Sequence, residues 1–227
     1  MIIGILTAMS VEYRQIAQML GDTHEEKRGP HNFLLGTLNG NTIILQQCGI
    51  GKVNAAAGTT NLIIHYHPDC LISTGAAGGI DSCLKVMDVV VSRQVCYHDV
   101  RCGDDLDPGQ VQGLPKAFFG DPDMLEKALN VKSDVHIVPG LICTGDQFIT
   151  NREELDAIKQ IYPEGLAVDM ESASIAQVAF LYDVPFLSFR IISDCPGAEH
   201  HFEEYLNFWD TMADKSFKVT RLFFSAL

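Results

Sequence analysis

Residues Val184 to Asp194 read V-P-F-L-S-F-R-I-I-S-D, an apolar run that contains one arginine and ends in an acid. This pattern predicts a buried strand with charge at its exit, because Pro196 and Gly197 signal a turn directly afterwards. An arginine inside an apolar strand is costly unless it is paired, and a carboxyl at the end of such a strand is a candidate for a raised pKa. Arg190 and Asp194 therefore indicate either a functional site or a structural Arg-Asp pair.

A second junction of the same kind follows the apolar residues Leu166 to Val168. There the chain continues as Asp169-Met170-Glu171 and then as the apolar segment Ser172 to Leu181. In open α/β folds, ligands bind in the crevice outside the carboxyl ends of the strands, where such chain ends converge. The two junctions therefore predict one shared site.

Strand and helix patterns alternate along most of the chain. Before the strand that ends at Asp194, β-rich runs cover Thr42 to Gln46, Cys70 to Thr74, Asp88 to Val95, Val135 to Cys143 and Leu166 to Asp169. Helical periodicity covers Val11 to Leu20, Val53 to His67, Asp121 to Leu129, Asn151 to Ile161, Ser172 to Tyr182 and a stretch from Phe202 onward. We predict a three-layer α/β fold, with a mixed, mostly parallel central sheet covered by helices on both faces, in a single domain over residues 1–227.

Composition limits the classes of partner. The formal net charge is −13 at pH 7 and the basic residues are scattered, so neither nucleic acid nor an anionic membrane surface is an expected partner. The apolar segment Met1 to Met9 is too short to span a membrane and is predicted to form the first strand. Seven cysteines, an odd number without a C-x-x-C pair, favour a reduced, cytoplasmic protein.

Two glycine clusters are predicted to follow strands. Cys48 to Lys52 precedes the Val53 helix, and Thr74 to Gly79 follows the strand that is expected to end near Ser73. Glycine lets backbone amides approach a ligand closely, but neither cluster has the spacing of a phosphate-binding loop or of G-x-G-x-x-G. The polar stretch Arg101 to Gly113 is predicted to be an exposed loop that reaches towards a neighbouring molecule.

Short motifs spread over nearly the whole chain resemble, in their order, those of the 5'-methylthioadenosine/S-adenosylhomocysteine nucleosidases. The matching segments are Gly4-Ile5 with Ala8-Met9 and Glu12, Gly49 to Val53, Thr74-Gly75 with Ala77 to Gly79, Tyr97 to Asp99, Thr144 to Ile149, Ala167 to Glu171, and Pro185-Phe186 through Arg190 to Ser193-Asp194. The resemblance implies a nucleoside-phosphorylase-like fold, usually a homodimer, that needs no cofactor. Such enzymes use water to cleave the N-glycosidic bond of adenine nucleosides that carry a 5'-thioether.

The resemblance also implies catalytic roles. Cleavage of the C1'–N9 bond produces an oxocarbenium-like sugar and an anionic adenine, so the enzyme must protonate the base and supply a nucleophile. Asp194 corresponds to the general acid at adenine N7, which requires a carboxyl that is protonated near neutral pH. Glu12 corresponds to the residue that holds and deprotonates the attacking water, and Arg190 is expected beside it.

Other positions correspond to the family's substrate contacts. Glu171 matches the ribose clamp, because a carboxylate can accept hydrogen bonds from both the 2'- and 3'-hydroxyls. Met170 is expected against the sugar, Phe148 against the adenine ring, and the Ile149 backbone at the base edge. The remaining expected contacts are Ala77 and Gly78 along the purine, Ser193 beside Asp194, and Met9 and Ile50 near the sugar and the thioether.

Taken without the resemblance, several of these residues have simpler interpretations. Met9, Ile50 and Phe148 are typical of ordinary core, and Glu12 is typical of an acid that favours the dipole at a helix N-terminus. The histidines, including the pair His200-His201, have no ligand spacing with nearby cysteines or acids, so no metal site is predicted.

Two departures from the family pattern leave the preferred 5' substituent open. Relatives often carry serine at the position of Ala76. They also present aromatic residues over the 5' tail, where this chain has Asp104, Asp105 and Asp107.

Two other functions stay open at this point. A purine nucleoside phosphorylase shares the scaffold but must also hold phosphate, preferably with arginines, and Ser73 stands where some relatives place one. A nucleoside-binding protein without activity is the other alternative, although the joint presence of Glu12, Glu171 and Asp194 argues against it.

Overall fold

Ten strands form one mixed β-sheet at the centre of the computed structural model, which describes residues 1–195, 208 and 213–227. The strands are β1 (Ile2–Thr7), β2 (Gly21–Arg28), β3 (His31–Leu38), β4 (Asn41–Gln47), β5 (Cys70–Gly79), β6 (Val89–Tyr97), β7 (Phe118–Phe119), β8 (Ile137–Thr144), β9 (Gly165–Asp169) and β10 (Phe186–Asp194). The helices are α1 (Ser10–Ala17), α2 (Lys52–Tyr66), α3 (Pro122–Leu129), α4 (Arg152–Ile161), α5 (Ser172–Leu181) and α6 (Ala213–Phe224). The predicted mixed α/β fold is confirmed.

The pairing of β5 with three neighbours closes part of the sheet into a ring. Parallel pairings join β4 to β1, β1 to β5, β5 to β10, β6 to β8 and β8 to β9, while β10 and β6 are antiparallel. The last residues of β5, Gly78 and Gly79, pair with Val168 and Ala167 of β9. The strands β5, β10, β6, β8 and β9 therefore form a closed ring, which the sequence did not predict. From β1, the sheet continues outward through β4, β3 and β2.

Two features of the strands differ from the predictions. The strand expected to end near Ser73 continues to Gly79, because its glycine-rich half still pairs with β10 and β9. The β2–β3 hairpin was missed, since the β2 sequence G-D-T-H-E-E-K-R is polar and largely exposed at the edge of the sheet. The predicted turn at Pro196 and Gly197, and the start of the helix expected from Phe202, lie outside the described residues.

Apolar side chains pack on both faces of the sheet, as the three-layer prediction requires. Alternate strand residues such as Ile43 and Ile44 belong to different clusters, because successive side chains point to opposite faces. On one face, α2 and α5 pack through residues such as Leu62 and Ile175. On the other face lie α1, α3 and α6. Each large apolar side chain buried in this way contributes about 1.5–3 kcal/mol, which holds the strands that carry the site.

The two acidic junctions meet, as predicted, although the strands that carry them, β9 and β10, run in opposite directions relative to β5. β9 runs antiparallel to β5 and pairs only with its last residues, so Asp169 arrives beside the glycine-rich half of β5. The end of β10 borders the same half, where Asp194 is opposite Gly78. The shared site therefore forms where the ring closes. Among the described helices, none has the length and apolar character needed to cross a membrane.

Candidate active site

One cavity at the ring closure is lined by all of the residues predicted to form the site. Its enclosed volume is about 110 Å³, and further space opens at the mouth. The predicted residues on its wall are Glu12, Arg190, Asp194, Glu171, Met170, Phe148, Ile149, Ala77, Gly78, Met9, Ile50 and Ser193. The cavity therefore joins residues from both ends of the chain, and their individual roles stay predictions.

Glu12 lies in the first turn of α1, where backbone amides surround its carboxylate. Its Oε2 accepts hydrogen bonds from the N–H groups of Ala8 at 3.0 Å and Met9 at 2.9 Å, and its Oε1 accepts one from Ala76 at 3.0 Å. Burial raises the pKa of Glu12, while Arg190 and these amides oppose that rise. A side chain on Gly75 would come within 2.8 Å of the Glu12 carboxyl carbon, so glycine is needed there. The result is a fixed carboxylate that burial makes more basic than an exposed one.

Arg190 is the central cation of the cavity and is 1% exposed. Its Nε lies 2.9 Å from Asp169 Oδ2, and its Nη2 lies 3.6 Å from Glu171 Oε2. Nη2 also donates to Ser73 Oγ at 2.8 Å. Arg190 therefore forms a buried ion pair with Asp169, an acid outside the segment for which the sequence suggested a structural Arg-Asp pair. Arg190 also interacts electrostatically with Glu12, so one guanidinium stabilises the charges of several buried carboxylates.

Asp169 is a site residue to which the sequence analysis assigned no role. It is 7% exposed and accepts hydrogen bonds from Thr144 Oγ1 at 2.6 Å and from the Ser172 backbone N–H at 3.2 Å. Together with the Arg190 contact, these bonds satisfy a charge that burial alone would strongly disfavour. A usable signal was present, because Asp169 ends an apolar strand two residues before Glu171.

Glu171 caps the start of α5 and faces the loop before α2. Its Oε1 accepts a hydrogen bond from the Gly51 N–H at 3.0 Å. Burial raises the pKa of Glu171 to about 7, with the neighbouring Asp169 adding to the rise and Arg190 opposing it. A carboxyl with this pKa is only partly ionised near neutral pH. Each contact that favours the ionised form therefore increases the ionised fraction of Glu171.

Asp194 reaches the cavity at an irregularity in β10. The pairing of β10 with β5 shifts register between Ile192 and Asp194, and such bulges re-aim side chains beside active sites. As a result both Ser193 and Asp194 line the cavity. Asp194 is 2% exposed, and its Oδ1 accepts a hydrogen bond from Ser193 Oγ at 2.6 Å. The Ser193 hydroxyl also lies 3.3 Å from the Ala77 carbonyl, which links this strand end to β5.

The apolar lining is exposed at the cavity mouth. Ile50 is 51% exposed and Phe148 is 44% exposed, so the interpretation of these residues as ordinary core is wrong. Ile149, by contrast, is buried behind them. Large apolar side chains at the mouth of a cavity are typical of sites that bind a flat or apolar part of a ligand.

Metal-ligating groups do not converge in the part of the chain that the structure describes. Among the side chains of residues 1–195, 208 and 218–227, no three of His, Cys, Asp or Glu are arranged to hold an ion. His200 and His201 lie outside these residues. The charges of the described cavity are instead balanced by Arg190 and by backbone amides.

Comparison with known proteins agrees with this geometry. The model of the phosphorylase superfamily matches residues 2–225. The 5'-methylthioadenosine/S-adenosylhomocysteine nucleosidase of Tolumonas auensis is 40% identical over 213 residues, which cover 90% of this chain and 91% of that protein. This chain belongs to that nucleosidase family. The enzyme of the same name from Staphylococcus epidermidis is 38% identical over 210 residues, covering 90% of this chain and 92% of that protein.

A solved nucleosidase of the same family shares the fold over its whole length. The crystal structure of the Neisseria meningitidis enzyme in complex with methylthio-immucillin-A has a TM-score of 0.94 and 33% identity, and the match covers 100% of this chain and 99% of that one. The family resemblance and the fold predicted from the motifs are therefore confirmed.

The structure shows where the two departures from the family pattern lie, Ala76 and the acids of the loop 101–113. Ala76 contributes its backbone N–H to Glu12, a contact that does not depend on the side chain. The predicted loop from Arg101 to Gly113 contains no helix or strand, and Asp105 and Asp107 on it are exposed. A hydrogen bond from Tyr162 Oη to the Pro108 carbonyl at 2.7 Å fixes the middle of this loop. Next to Pro108, Asp107 Oδ2 lies 3.7 Å from Lys116 Nζ.

Proposed function

We propose that this protein hydrolyses the N-glycosidic bond of 5'-methylthioadenosine, S-adenosylhomocysteine or both, with 5'-deoxyadenosine as a further candidate substrate. The products are adenine and the corresponding 5-thioribose, or 5-deoxyribose in the case of 5'-deoxyadenosine. The names of the relatives support this assignment. The observation that carries it is the convergence of three buried carboxyl groups, those of Glu12, Glu171 and Asp194, on one cavity with one guanidinium.

In the proposed mechanism, the two sides of the scissile bond are served by different carboxyl groups. Asp194 donates its proton to adenine N7 as the C1'–N9 bond breaks, so that the base departs as a neutral molecule. Glu12 takes a proton from water, whose oxygen forms the new bond to C1' of the oxocarbenium-like sugar. Glu171 accepts hydrogen bonds from the two ribose hydroxyls and fixes the sugar between them.

Substrate recognition is proposed to use the apolar part of the same cavity. Phe148 stacks on adenine, the Ile149 backbone reads the base edge, and the purine lies along Ala77 and Gly78. Met9, Met170 and Ile50 contact the sugar and the 5'-thioether. Ser193 supports Asp194 through their mutual hydrogen bond. Aromatic stacking of this kind is worth about 0.5–1.5 kcal/mol beyond area burial.

Hydrolysis is favoured over phosphorolysis by the charge around Arg190. Among the described residues that line the cavity, Arg190 is the only lysine or arginine, and two carboxylates already share it. Glu12 would repel a phosphate dianion on the side where the nucleophile must approach. Adenine release should therefore be the same in phosphate-free and phosphate-containing buffer, and strict dependence on phosphate would overturn the proposal.

Asp194→Asn tests the chemistry directly. The amide keeps the shape of the side chain but has no carboxyl proton to donate, so kcat for adenine release should fall by about 100- to 10,000-fold. Substrate binding, measured by calorimetry, should change far less. The matched control is Asp81→Asn, which makes the same chemical change at an acid that pairs with Lys159 outside this cavity. If the wild-type protein binds 5'-methylthioadenosine and S-adenosylhomocysteine but releases no adenine from either, the result would favour a nucleoside-binding protein without activity.

We also propose a homodimer in which the loop 101–113 lies near the neighbouring site. α2 packs against α5, and both helices carry large apolar side chains in solvent, including Val53 at 79% exposed and Leu181 at 59%. Exposed apolar surface of this kind is typical of interfaces. Sedimentation should give a dimer, and Val53→Glu should yield monomers, whereas a wild-type monomer would contradict the proposal.

We propose that the protein is located in the cytoplasm. We also propose that residues 1–227 form a single domain. All seven cysteines, each at a described position, are free thiols, which fits a reducing compartment. Fractionation of cells that express the tagged chain would test the location.

A further inference from the structure

The start of α2 and two loops beside the cavity are joined by one lysine and two aspartates. Lys52 Nζ lies 2.7 Å from Asp99 Oδ2 and 3.9 Å from Asp146 Oδ2. The aspartates also accept backbone hydrogen bonds, from the Lys52 N–H to Asp146 Oδ1 at 2.7 Å and from the Asp146 N–H to Asp99 Oδ2 at 2.8 Å. We call Lys52, Asp99 and Asp146 the loop cluster. It connects the first residue of α2 with the segments that follow β6 and β8.

The residues next to the loop cluster contact Glu171 on one side and line the cavity on the other. Gly51 precedes Lys52, and its N–H donates to Glu171 Oε1 at 3.0 Å. Gln147, Phe148 and Ile149 follow Asp146 directly and line the cavity. A small movement of the cluster would therefore displace both the amide on Glu171 and the wall expected to contact the base.

The surroundings of Lys52 hold its ammonium group in place. Its side chain is 23% exposed and that of Asp99 is 24% exposed, so water screens this ion pair less than one on the open surface. The ammonium also lies 5.5 Å from the centroid of the Tyr97 ring, within the range of a cation–π contact. The Tyr97 hydroxyl is itself fixed, since it donates to Gln177 Oε1 on α5 at 2.8 Å.

We propose that Lys52, Asp99 and Asp146 are positioning residues, which fix the Gly51 amide on the Glu171 carboxylate and hold the Phe148 wall in register with it. This inference rests on the proposed role of Glu171 at the ribose. The Gly51 N–H donates to the charged form of Glu171 and so favours ionisation against the effect of burial. Loss of the cluster frees this amide, and Glu171 then needs a higher pH to become the acceptor that the ribose hydroxyls require.

The experiment compares Asp99→Asn and Asp146→Asn with the control Asp81→Asn. The control removes a partly buried lysine–aspartate pair of similar length, 2.8 Å from Lys159 Nζ to Asp81 Oδ2, whose side chains are 22% and 28% exposed. We expect kcat/KM for adenine release to fall about tenfold in each cluster variant, because mispositioned groups lose transition-state contacts. The acid limb of the kcat/KM profile should also move up by about one pH unit. The control should keep the wild-type profile.

Two further variants separate positioning from a general loss of structure. Asp99→Glu retains the charge and should restore part of the activity and of the pH profile. In a Glu171→Gln background, Asp99→Asn should no longer shift the acid limb of the kcat/KM profile. The glutamine that replaces Glu171 has no ionised form, so the Gly51 amide has no charge to favour.

Three outcomes overturn the inference. The first is an active wild-type enzyme whose Asp99→Asn and Asp146→Asn variants keep the same pH profile as Asp81→Asn. The second is a lower melting temperature of these two variants with an unchanged acid limb. The third is a shift of the acid limb by Asp99→Asn that is equal in the wild-type and Glu171→Gln backgrounds. A wild-type protein that releases no adenine under any condition would instead refute the proposed function itself.

Discussion

Replacement of Arg190 by methionine tests how the cavity tolerates its buried carboxylates. Methionine keeps an unbranched side chain of similar length but removes the charge and the donors. At the observed separations of 2.9 Å from Asp169 and 3.6 Å from Glu171, an effective dielectric constant of about 20 gives roughly 5 kcal/mol of attraction per pair. Desolvation of the guanidinium cancels a large part of this gain. The expected net loss of stability is about 3–5 kcal/mol, the range found when one partner of a buried ion pair is removed.

The loss should depend on pH in a defined direction. Burial raises the pKa values of Glu12 and Glu171, and Arg190 opposes both effects. Without Arg190 these pKa values rise further, so the folded variant binds more protons than its unfolded chain and gains stability as the pH falls. The difference between Arg190→Met and the wild type should therefore be largest near about pH 8.5 and shrink towards about pH 5.5.

Urea unfolding at the two pH values measures this difference, with Arg152→Met as the control. Arg152 pairs with Asp156 at 3.2 Å, but the side chains are 70% and 54% exposed, so its removal should cost less than about 1 kcal/mol at either pH. A loss below about 1 kcal/mol for Arg190→Met at the higher pH, or equal losses at both, would refute the view of Arg190 as the charge that supports several acids.

Three other changes have defined outcomes. Glu12→Gln should abolish adenine release while calorimetry still detects nucleoside binding, and turnover at the wild-type rate would show that another base activates water. Glu171→Gln should gain stability relative to the wild type as the pH rises from about 4.5 to about 7, because only the wild-type acid must ionise while buried; a flat difference would contradict its raised pKa. A hydrogen bond from Lys159 lowers the pKa of Asp81 to about 2, so this acid stabilises the fold above its unfolded pKa. Asp81→Asn should therefore cost about 1–2 kcal/mol near neutral pH, and denaturation curves should show that cost vanishing as the pH falls from about 4 towards 2.

The parts of the fold that were predictable are those with a local signal. β10 could be recognised because an apolar run ends in Ser193 and Asp194, and β9 because a similar run ends in Asp169. β2 gave no such signal, since an exposed edge strand needs no apolar side chains. Ring closure was also not predictable, because pairing between β5 and β9 depends on contacts between distant segments rather than on either sequence alone.

The site divides in the same way. The acidic junctions predicted from the residues alone that Arg190, Glu171 and Asp194 would share a cavity, whereas Glu12 and the apolar contacts came from the family resemblance. Asp169 was overlooked as a partner because its importance depends on the Arg190 guanidinium, which lies close only after folding. The exposure of Phe148 likewise follows from the shape of the cavity mouth, and no feature of its local sequence indicates it.

Ring closure also has a consequence for synthesis of the protein on the ribosome. Glu12 belongs to the first helix, but β10, which brings Asp194 and completes the ring, is among the last strands to emerge. Folding must therefore join widely separated segments, a topology that is typically slow to form. A nascent chain that stops before β10 lacks both Asp194, the proposed proton donor, and Arg190, so premature termination should yield inert fragments rather than partly active enzyme.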